Sequence, residues 1–148
     1  MKQKIIEEDA IRLNVLAKDW EEAVRYCGEV LVETGIVEIT YIDAIIKGIK
    51  KFGPYILIAP GVALPHARPE DGVIKEGICI IILQEEVAFE PGKEIKVLIG
   101  LAARDNESHI KILQKIAEVI SEEESMEQLK NAKRKEEILH LFNENRGA

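Results

Sequence analysis

The residues best suited to chemistry lie in one constrained segment, Ala59-Pro60-Gly61-Val62-Ala63-Leu64-Pro65-His66-Ala67-Arg68-Pro69-Glu70-Asp71-Gly72. Three prolines and two glycines there surround a single histidine and a single arginine. Pro65 fixes its own φ and lacks an N–H, while Pro69 drives Arg68 toward an extended backbone. The result is a stiff loop that presents His66 at the end of a short strand, where an imidazole can meet a reactant. An ordinary proline-rich turn carrying an incidental histidine has the same composition, so the loop alone leaves both readings open.

A second histidine lies in Arg104-Asp105-Asn106-Glu107-Ser108-His109-Ile110. Asp105 or Asn106 can cap a helix there. With Asn106 as the cap, His109 is the third helical residue, and its offsets to Leu113 and Ile116 turn it inward. A helix N-terminus offers N–H donors and partial positive charge to an anion. The same field lowers an imidazole pKa and favours the neutral ring. Taken by itself, a half-buried helix-end histidine satisfied by backbone is the plainer assignment. His140, next to Leu139, Leu141 and Phe142, reads as core or surface packing.

Other chemistries find no support. No His-x-His, His-x3-His or Cys-x2-Cys spacing is present, so neither a metal nor a cofactor is expected. A Gly-x-Ser-x-Gly elbow and a Walker loop are likewise absent. Cys27 and Cys79 stand far apart among apolar neighbours and read as small buried hydrophobes in a reducing compartment.

The elements that must position these side chains follow from periodicity. Ile11–Leu16 alternates with period two and predicts a strand. Asp19, with Glu22 three residues on, caps a helix whose stripe is Trp20, Ala23, Val24, Cys27, Val30 and Leu31, ending near Gly35. Thr40 caps a second helix through its hydroxyl. Tyr41, Ala44, Ile45, Ile49 and Phe52 form its stripe, and Gly53-Pro54 stops it. Tyr55–Ala59 and Val62–Leu64 predict two short strands about the Pro60-Gly61 turn.

Ile78–Gln84 is apolar on both faces, as in a strand covered from each side, and Lys93–Ala102 reads likewise. A helix then turns Ile110, Leu113, Ile116, Ala117 and Ile120 inward, and two shorter helices follow near Ser125–Ala132 and Glu136–Asn143. The fold class is α/β, a mixed central sheet flanked by helices, in a single domain over residues 1–148.

Composition narrows the partners. The chain has 148 residues, 47% hydrophobic and 32% charged, with 27 acidic against 20 basic residues and a net charge of −7. That balance and the scarcity of aromatics (one Trp, three Tyr, three Phe) argue against nucleic acid. The longest apolar runs, Ile78–Leu83 and Val97–Ala103, fall far short of the roughly twenty residues of a membrane span. The N-terminus turns acidic at Glu7-Glu8-Asp9 before a signal-like stretch develops, so a cytoplasmic location is expected.

The stretch from Gly53 to Val73 resembles the active-site region of enzyme IIA components of the bacterial phosphoenolpyruvate-dependent sugar phosphotransferase system, mannitol/fructose type. Gly61-Val62-Ala63-Leu64-Pro65-His66 is similar to the family's phosphorylation motif. Leu98-Ile99-Gly100-Leu101-Ala102-Ala103, with Ser108-His109-Ile110 and Leu113, is similar to its second histidine motif. The likeness spans nearly the whole chain. Gly53-Pro54-Tyr55 and the Ala-Arg-Pro-Glu-Asp-Gly continuation at 67–72 are closest to the ascorbate-type subgroup. Mannitol-type members carry an arginine sixteen residues before the phosphorylated histidine. Lys50 stands there, keeping the charge without the bidentate fork, and no phosphate role is assigned to it.

The resemblance implies the mannitol/fructose-type enzyme IIA fold and a phosphotransferase. His66 would accept a phosphoryl group from phospho-HPr and pass it to a cysteine of enzyme IIB, which serves a membrane enzyme IIC. His109 would hold the phosphate beside His66, and Arg68 would assist the phosphate or docking through proximity. HPr-type donors present a basic and apolar face, so the acidic surface would speed their encounter. The substrate would be ascorbate-like, or otherwise mannitol- or fructose-like. A regulatory module that signals phosphorylation state without feeding a permease is the alternative.

Overall fold

The computed structural model describes residues 5–53 and 55–143. The chain runs β1 (Ile11–Val15), α1 (Trp20–Glu33), α2 (Thr40–Phe52), β2 (Leu57–Ala59), β3 (Gly61–Ala63), β4 (Gly77–Ala88), β5 (Glu94–Ala102), α3 (Asn106–Ser121), α4 (Glu123–Lys130) and α5 (Lys135–Asn143). The strands form one mixed sheet in the order β1-β4-β5-β3-β2. β1 lies parallel to β4 and β3 parallel to β5, while β4 with β5 and β2 with β3 are antiparallel.

The centre of the sheet explains its two helical layers. All six residues from Ile78 to Leu83 are buried, so β4 is covered on both faces. Cys79 meets Cys27 of α1 with sulfur atoms 3.4 Å apart, which by the pleat places Ile81 and Leu83 on the α1 side. Ile78, Ile80 and Ile82 point to the opposite face, where α4 packs on β5 and α5 on β1. Each fully buried isoleucine contributes about 1.5–3 kcal/mol, and branched side chains suit the pleated surface. β4 continues past the expected end at Gln84 through exposed residues 84–86 to Ala88. Its backbone ladder persists there, pairing Val87 with Ile95 and Ala88 with Glu94.

Both cysteines are fully buried and free. Their hydrogen bond, together with burial, pushes the Cys27 thiol well above its usual range. Gly100 of β5 makes room for the pair: a Cβ there would lie 2.7 Å from both sulfur atoms.

The ends of the elements mostly follow the expected signals. Asp19 caps α1, its carboxylate accepting the Glu22 N–H at 2.8 Å, a contact worth about 1 kcal/mol. The Glu22 carboxylate reaches back to the Lys18 N–H, one residue before the cap. β1 departs from strict alternation. Its register against β4 gains one residue between Arg12 and Val15, and Asn14 sits at φ 57° in that bulge, which asparagine tolerates.

Three expectations are corrected. Thr40 does not cap α2: Ile39 is the cap residue, and the Thr40 hydroxyl donates to the Asp71 carbonyl across the cleft-side loop. Phe52, assigned to the α2 stripe, is 69% exposed and lines an open cleft at the last turn of the helix. The buried face of α3 is Ile112, Ile116 and Val119, with Ile110 and Ala117 exposed. Apolar residues at two adjacent helical phases made that stripe ambiguous, and packing selected one of them. The assignment of Pro54 as a stop falls outside the described residues, while the preceding Gly53 is the C-cap.

Candidate active site

The loop bearing His66 continues a hairpin. The turn between β2 and β3 needs Gly61 at φ 82°, a conformation open to glycine, and β3 then runs parallel to β5. Beyond β3 the chain keeps bonding on both sides: the Leu64 N–H donates to Ile56 O at 2.7 Å, and the Leu101 N–H to Pro65 O at 3.0 Å. Pro65 therefore uses its carbonyl and loses nothing by lacking an N–H. His66 emerges beside the C-terminal end of β5.

The His66 ring is oriented by one contact. Its Nδ1 lies 2.7 Å from Leu64 O. A carbonyl only accepts, so Nδ1 carries the hydrogen and the neutral ring has its lone pair on Nε2. Tyr55 packs edge-on against the ring at 5.6 Å between centroids, and its hydroxyl donates to the His66 carbonyl at 3.2 Å.

His109 enters from the first turn of α3. Asp105, not Asn106, is the N-cap, and it shares a capping box with Ser108, which places His109 fourth in the helix and not third. The Asp105 carboxylate takes the Ser108 N–H at 2.8 Å, and the Asp105 carbonyl takes the His109 N–H at 3.1 Å. The helix end is thus already occupied by a carboxylate, and the expected set of open amide donors shrinks. What α3 offers His66 is the His109 ring, half-buried, with its centroid 6.0 Å away and its plane tilted by 50°. At that separation no ring nitrogen reaches hydrogen-bond distance of the other. Burial, then the neighbouring His66, holds the His109 pKa below its usual value. The direction agrees with the sequence argument, although burial and not the helix end leads it.

Both histidines line one open cleft of about 1310 Å³, together with residues of α2 and the 67–71 loop. Lys47, Lys51 and Arg68 line it alongside Asp43, Glu70, Asp71 and Asp105. The cleft is close to neutral, so most of the −7 charge lies elsewhere on the surface.

Arg68 shares the cleft but is turned back on its own loop. Its guanidinium contacts Asp71 at 3.3 Å and Glu70 at 3.9 Å, and its N–H donates to Asp71 at 2.9 Å. Asp71 keeps Arg68 more firmly charged than usual. Burial raises the Asp71 carboxyl, but the Arg68 N–H and guanidinium together hold it below its ordinary value. Lys50 pairs with Glu21 of α1 at 3.1 Å and is not part of the cleft lining. His140 is exposed on α5, which leaves surface packing and not core packing as its place.

Sequence reasoning assigned Tyr41 to a core stripe and missed its polar end. The Ala67 N–H donates to the Tyr41 hydroxyl at 2.9 Å, and that hydroxyl lies 2.7 Å from Leu101 O. A tyrosine on the inward face of an amphipathic helix was the available signal, since a buried phenol needs a partner. Among the described residues, no three His, Cys, Asp or Glu side chains group as metal ligands would. The Nδ1 partner of His66 is the Leu64 carbonyl, which aligns the ring. The arrangement suits a nitrogen nucleophile that accepts a group from outside the molecule.

Comparison with known proteins shows what the chain is similar to. The family described as phosphoenolpyruvate-dependent sugar phosphotransferase system, EIIA 2, matches residues 4–145. The chain is similar to the ascorbate-specific phosphotransferase-system EIIA component of Escherichia coli K12, 34% identical over 151 aligned positions that cover 100% of this chain and 98% of the relative. It is also similar to the mannitol-specific cryptic phosphotransferase enzyme IIA component of the same organism, 40% identical over 137 positions covering 91% and 92%. Among solved structures, the complex of mannitol enzyme IIA with phosphorylated mannitol enzyme IIB from Escherichia coli superposes with a TM-score of 0.81 at 33% identity, covering 94% and 96%.

Proposed function

The chain belongs to the EIIA 2 family of the phosphoenolpyruvate-dependent sugar phosphotransferase system, and on that premise we propose that His66 Nε2 receives a phosphoryl group from phospho-HPr and delivers it to a cysteine of enzyme IIB. Proteins of this family are phosphotransferases that carry phosphohistidine. The observation that carries the site assignment is the Nδ1 contact of His66 to Leu64 O. It commits the ring's hydrogen to one side and leaves Nε2 as the only nitrogen able to attack phosphorus.

Transfer breaks the N–P bond of the donor and forms one at Nε2, with no proton lost from His66. Positive charge that develops on the ring is met by Leu64 O, and charge on the phosphoryl oxygens by His109. Positioning and charge stabilisation supply most of the catalysis in such transfers. A neutral His109, favoured by its lowered pKa, can donate one N–H without repelling an approaching cationic imidazole. Arg68 contributes to docking or to the phosphate only after leaving Asp71. The mixed charge of the cleft suits two successive partners of different character, while the overall −7 charge gives long-range attraction to a basic donor.

Residues 1–148 act, in this reading, as one carrier domain in the cytoplasm. No helix among the described residues is long and apolar enough to cross a membrane. The finer assignment is to an ascorbate-type system, supported by the 53–55 and 67–72 residues and by the end-to-end match to the ascorbate-specific relative. The higher identity to the mannitol-specific relative over a shorter span supports the second reading, a mannitol-type system.

Incubation with phosphoenolpyruvate, enzyme I and HPr should give one acid-labile phosphate per chain, and none in His66→Ala. Label retained in that variant overturns the site. Onward transfer should be faster to an ascorbate-type than to a mannitol-type enzyme IIB; the reverse order selects the second reading. Failure with every enzyme IIB favours the regulatory alternative.

A further inference from the structure

We propose that Tyr41 is a positioning residue for phosphoryl transfer, its hydroxyl acting as the joint that fixes the two histidine-bearing segments relative to one another. The inference rests on the assignment of His66 as acceptor. Tyr41 lies in the first turn of α2, which contributes neither histidine, and its side chain is fully buried. Its hydroxyl nevertheless ends between two backbone groups that matter. One is the N–H of Ala67, immediately after His66, at 2.9 Å. The other is the carbonyl of Leu101, at 2.7 Å, near the end of the strand that leads through Asp105 into α3 and His109.

A phenol can do this because it accepts and donates at once. Ala67 N–H gives to the oxygen, and the oxygen's hydrogen goes to Leu101 O. Ala67 lies outside every strand, so the hydroxyl links it to β5 where strand pairing does not. The neighbouring residue ties down the same loop, with the Thr40 hydroxyl on Asp71 O at 3.1 Å. The direct backbone link between the segments, Leu101 N–H to Pro65 O at 3.0 Å, lies on the other side of His66. His66 is therefore bracketed: Pro65 is fixed to Leu101 through the backbone, and Ala67 is fixed to the same residue through Tyr41.

The consequence is geometric. A phosphoryl group on Nε2 must meet His109 across a ring separation of 6.0 Å, and small errors in such positioning are costly, about 100-fold for 1 Å. Removing the hydroxyl leaves the buried Leu101 O and the half-buried Ala67 N–H without this partner and frees the segment after His66 to drift. It removes one hydroxyl from the cleft lining and leaves both imidazoles and every charged side chain of the cleft in place.

The test compares wild type with Tyr41→Phe. The rate of phosphorylation by phospho-HPr at saturating donor should fall about 10- to 100-fold, with the KM for phospho-HPr within about twofold of wild type, since no docking side chain is lost. The His66 and His109 ring resonances of the unphosphorylated protein should shift together. A structural role alone would lower thermal stability yet leave the saturated rate and both rings as in wild type, and that result overturns the inference. Should the variant fold poorly, hydrogen exchange in the wild-type protein gives a second reading: the Ala67 amide should be protected to the level of the sheet, and rapid exchange there overturns the inference. Tyr26→Phe, the same deletion outside the cleft lining, should transfer at the wild-type rate. Failure of the acceptor assignment is seen separately, as label that persists in His66→Ala.

Discussion

Two pairs of reactive residues are assembled from distant parts of this chain, and they share almost nothing else. His66 and His109 meet at the end of the sheet, half-exposed in an open cleft, held by backbone carbonyls, a cap and two tyrosines. Cys27 and Cys79 meet between α1 and β4, fully buried, bonded to each other, with Gly100 beneath them. The cysteines are closer and intrinsically the better nucleophiles once ionised. Yet the hydrogen bond with Cys79, together with burial, pushes the Cys27 thiol well above its usual range, and only the thiolate reacts. Burial has the opposite chemical effect on His109. Lowering its pKa favours the neutral ring, which is the form the proposed transfer uses. Proximity is common to both pairs, whereas access and the favoured protonation state belong to one.

The largest expected effect on this contrast, after loss of His66 itself, comes from His109→Ala. The transfer rate should fall about 100- to 1,000-fold, as for removal of one donor to a developing anion, while the fold is kept. An unchanged rate would reduce the functional pair to a single residue. The lowered His109 pKa also carries a stability signature. The unfolded chain binds a proton at this group more readily, so its contribution is present above the ordinary histidine pKa and is lost as the pH falls through the folded value. Urea melts across that range, compared with His109→Ala, measure it.

A second titration reports the joint between the segments. Burial pushes Tyr41 from 10 up to about 12. The neutral phenol is the form the fold holds, so stability is complete below pH 10 and falls as the pH rises through about 12, by about 2–3 kcal/mol. Denaturant melts between these limits should show the slope in wild type and lose most of it in Tyr41→Phe. On the cysteine side, Gly100→Ala should destabilise by about 1–3 kcal/mol through overpacking, because the new methyl would meet both sulfur atoms at 2.7 Å. Phosphorylation at saturating donor should survive it. The smallest effect is expected from a thiol reagent such as Ellman's, which should modify neither cysteine in the native protein and both in denaturant. Rapid native modification would show that the sealed pair opens.

Much of the site was legible because its signals are local. Three prolines around His66 constrain φ wherever they occur, and Asp105 followed by Ser108 and His109 announces a helix start. The errors lie where two local solutions compete. Asp105 and Asn106 are both good caps, and choosing the first moved His109 by one place. Ile110, Ile112 and Leu113 offer two overlapping stripes, and contact with the rest of the fold chose the one through Ile112. Thr40 has a capping hydroxyl, but the Asp71 carbonyl lies close enough to take it. Arg68 stands two residues from His66 in sequence, yet its nearest carboxylate turns it away from the ring.

The sequence by itself determined the α/β class, the mixed sheet, the stiff loop carrying His66 and the absence of a membrane-length apolar run. Hydrophobic period, proline and glycine act over a few residues and need no knowledge of the rest of the chain. Only the tertiary structure decided which nitrogen of His66 is left to react, that His109 faces it, that Tyr41 joins the two segments, and that the cysteines touch without access to solvent. Those are relations between residues far apart in sequence, fixed by which strands pair and which helix face is buried. No local pattern encodes them, because each depends on where a backbone carbonyl or a sulfur atom arrives once the whole sheet has formed.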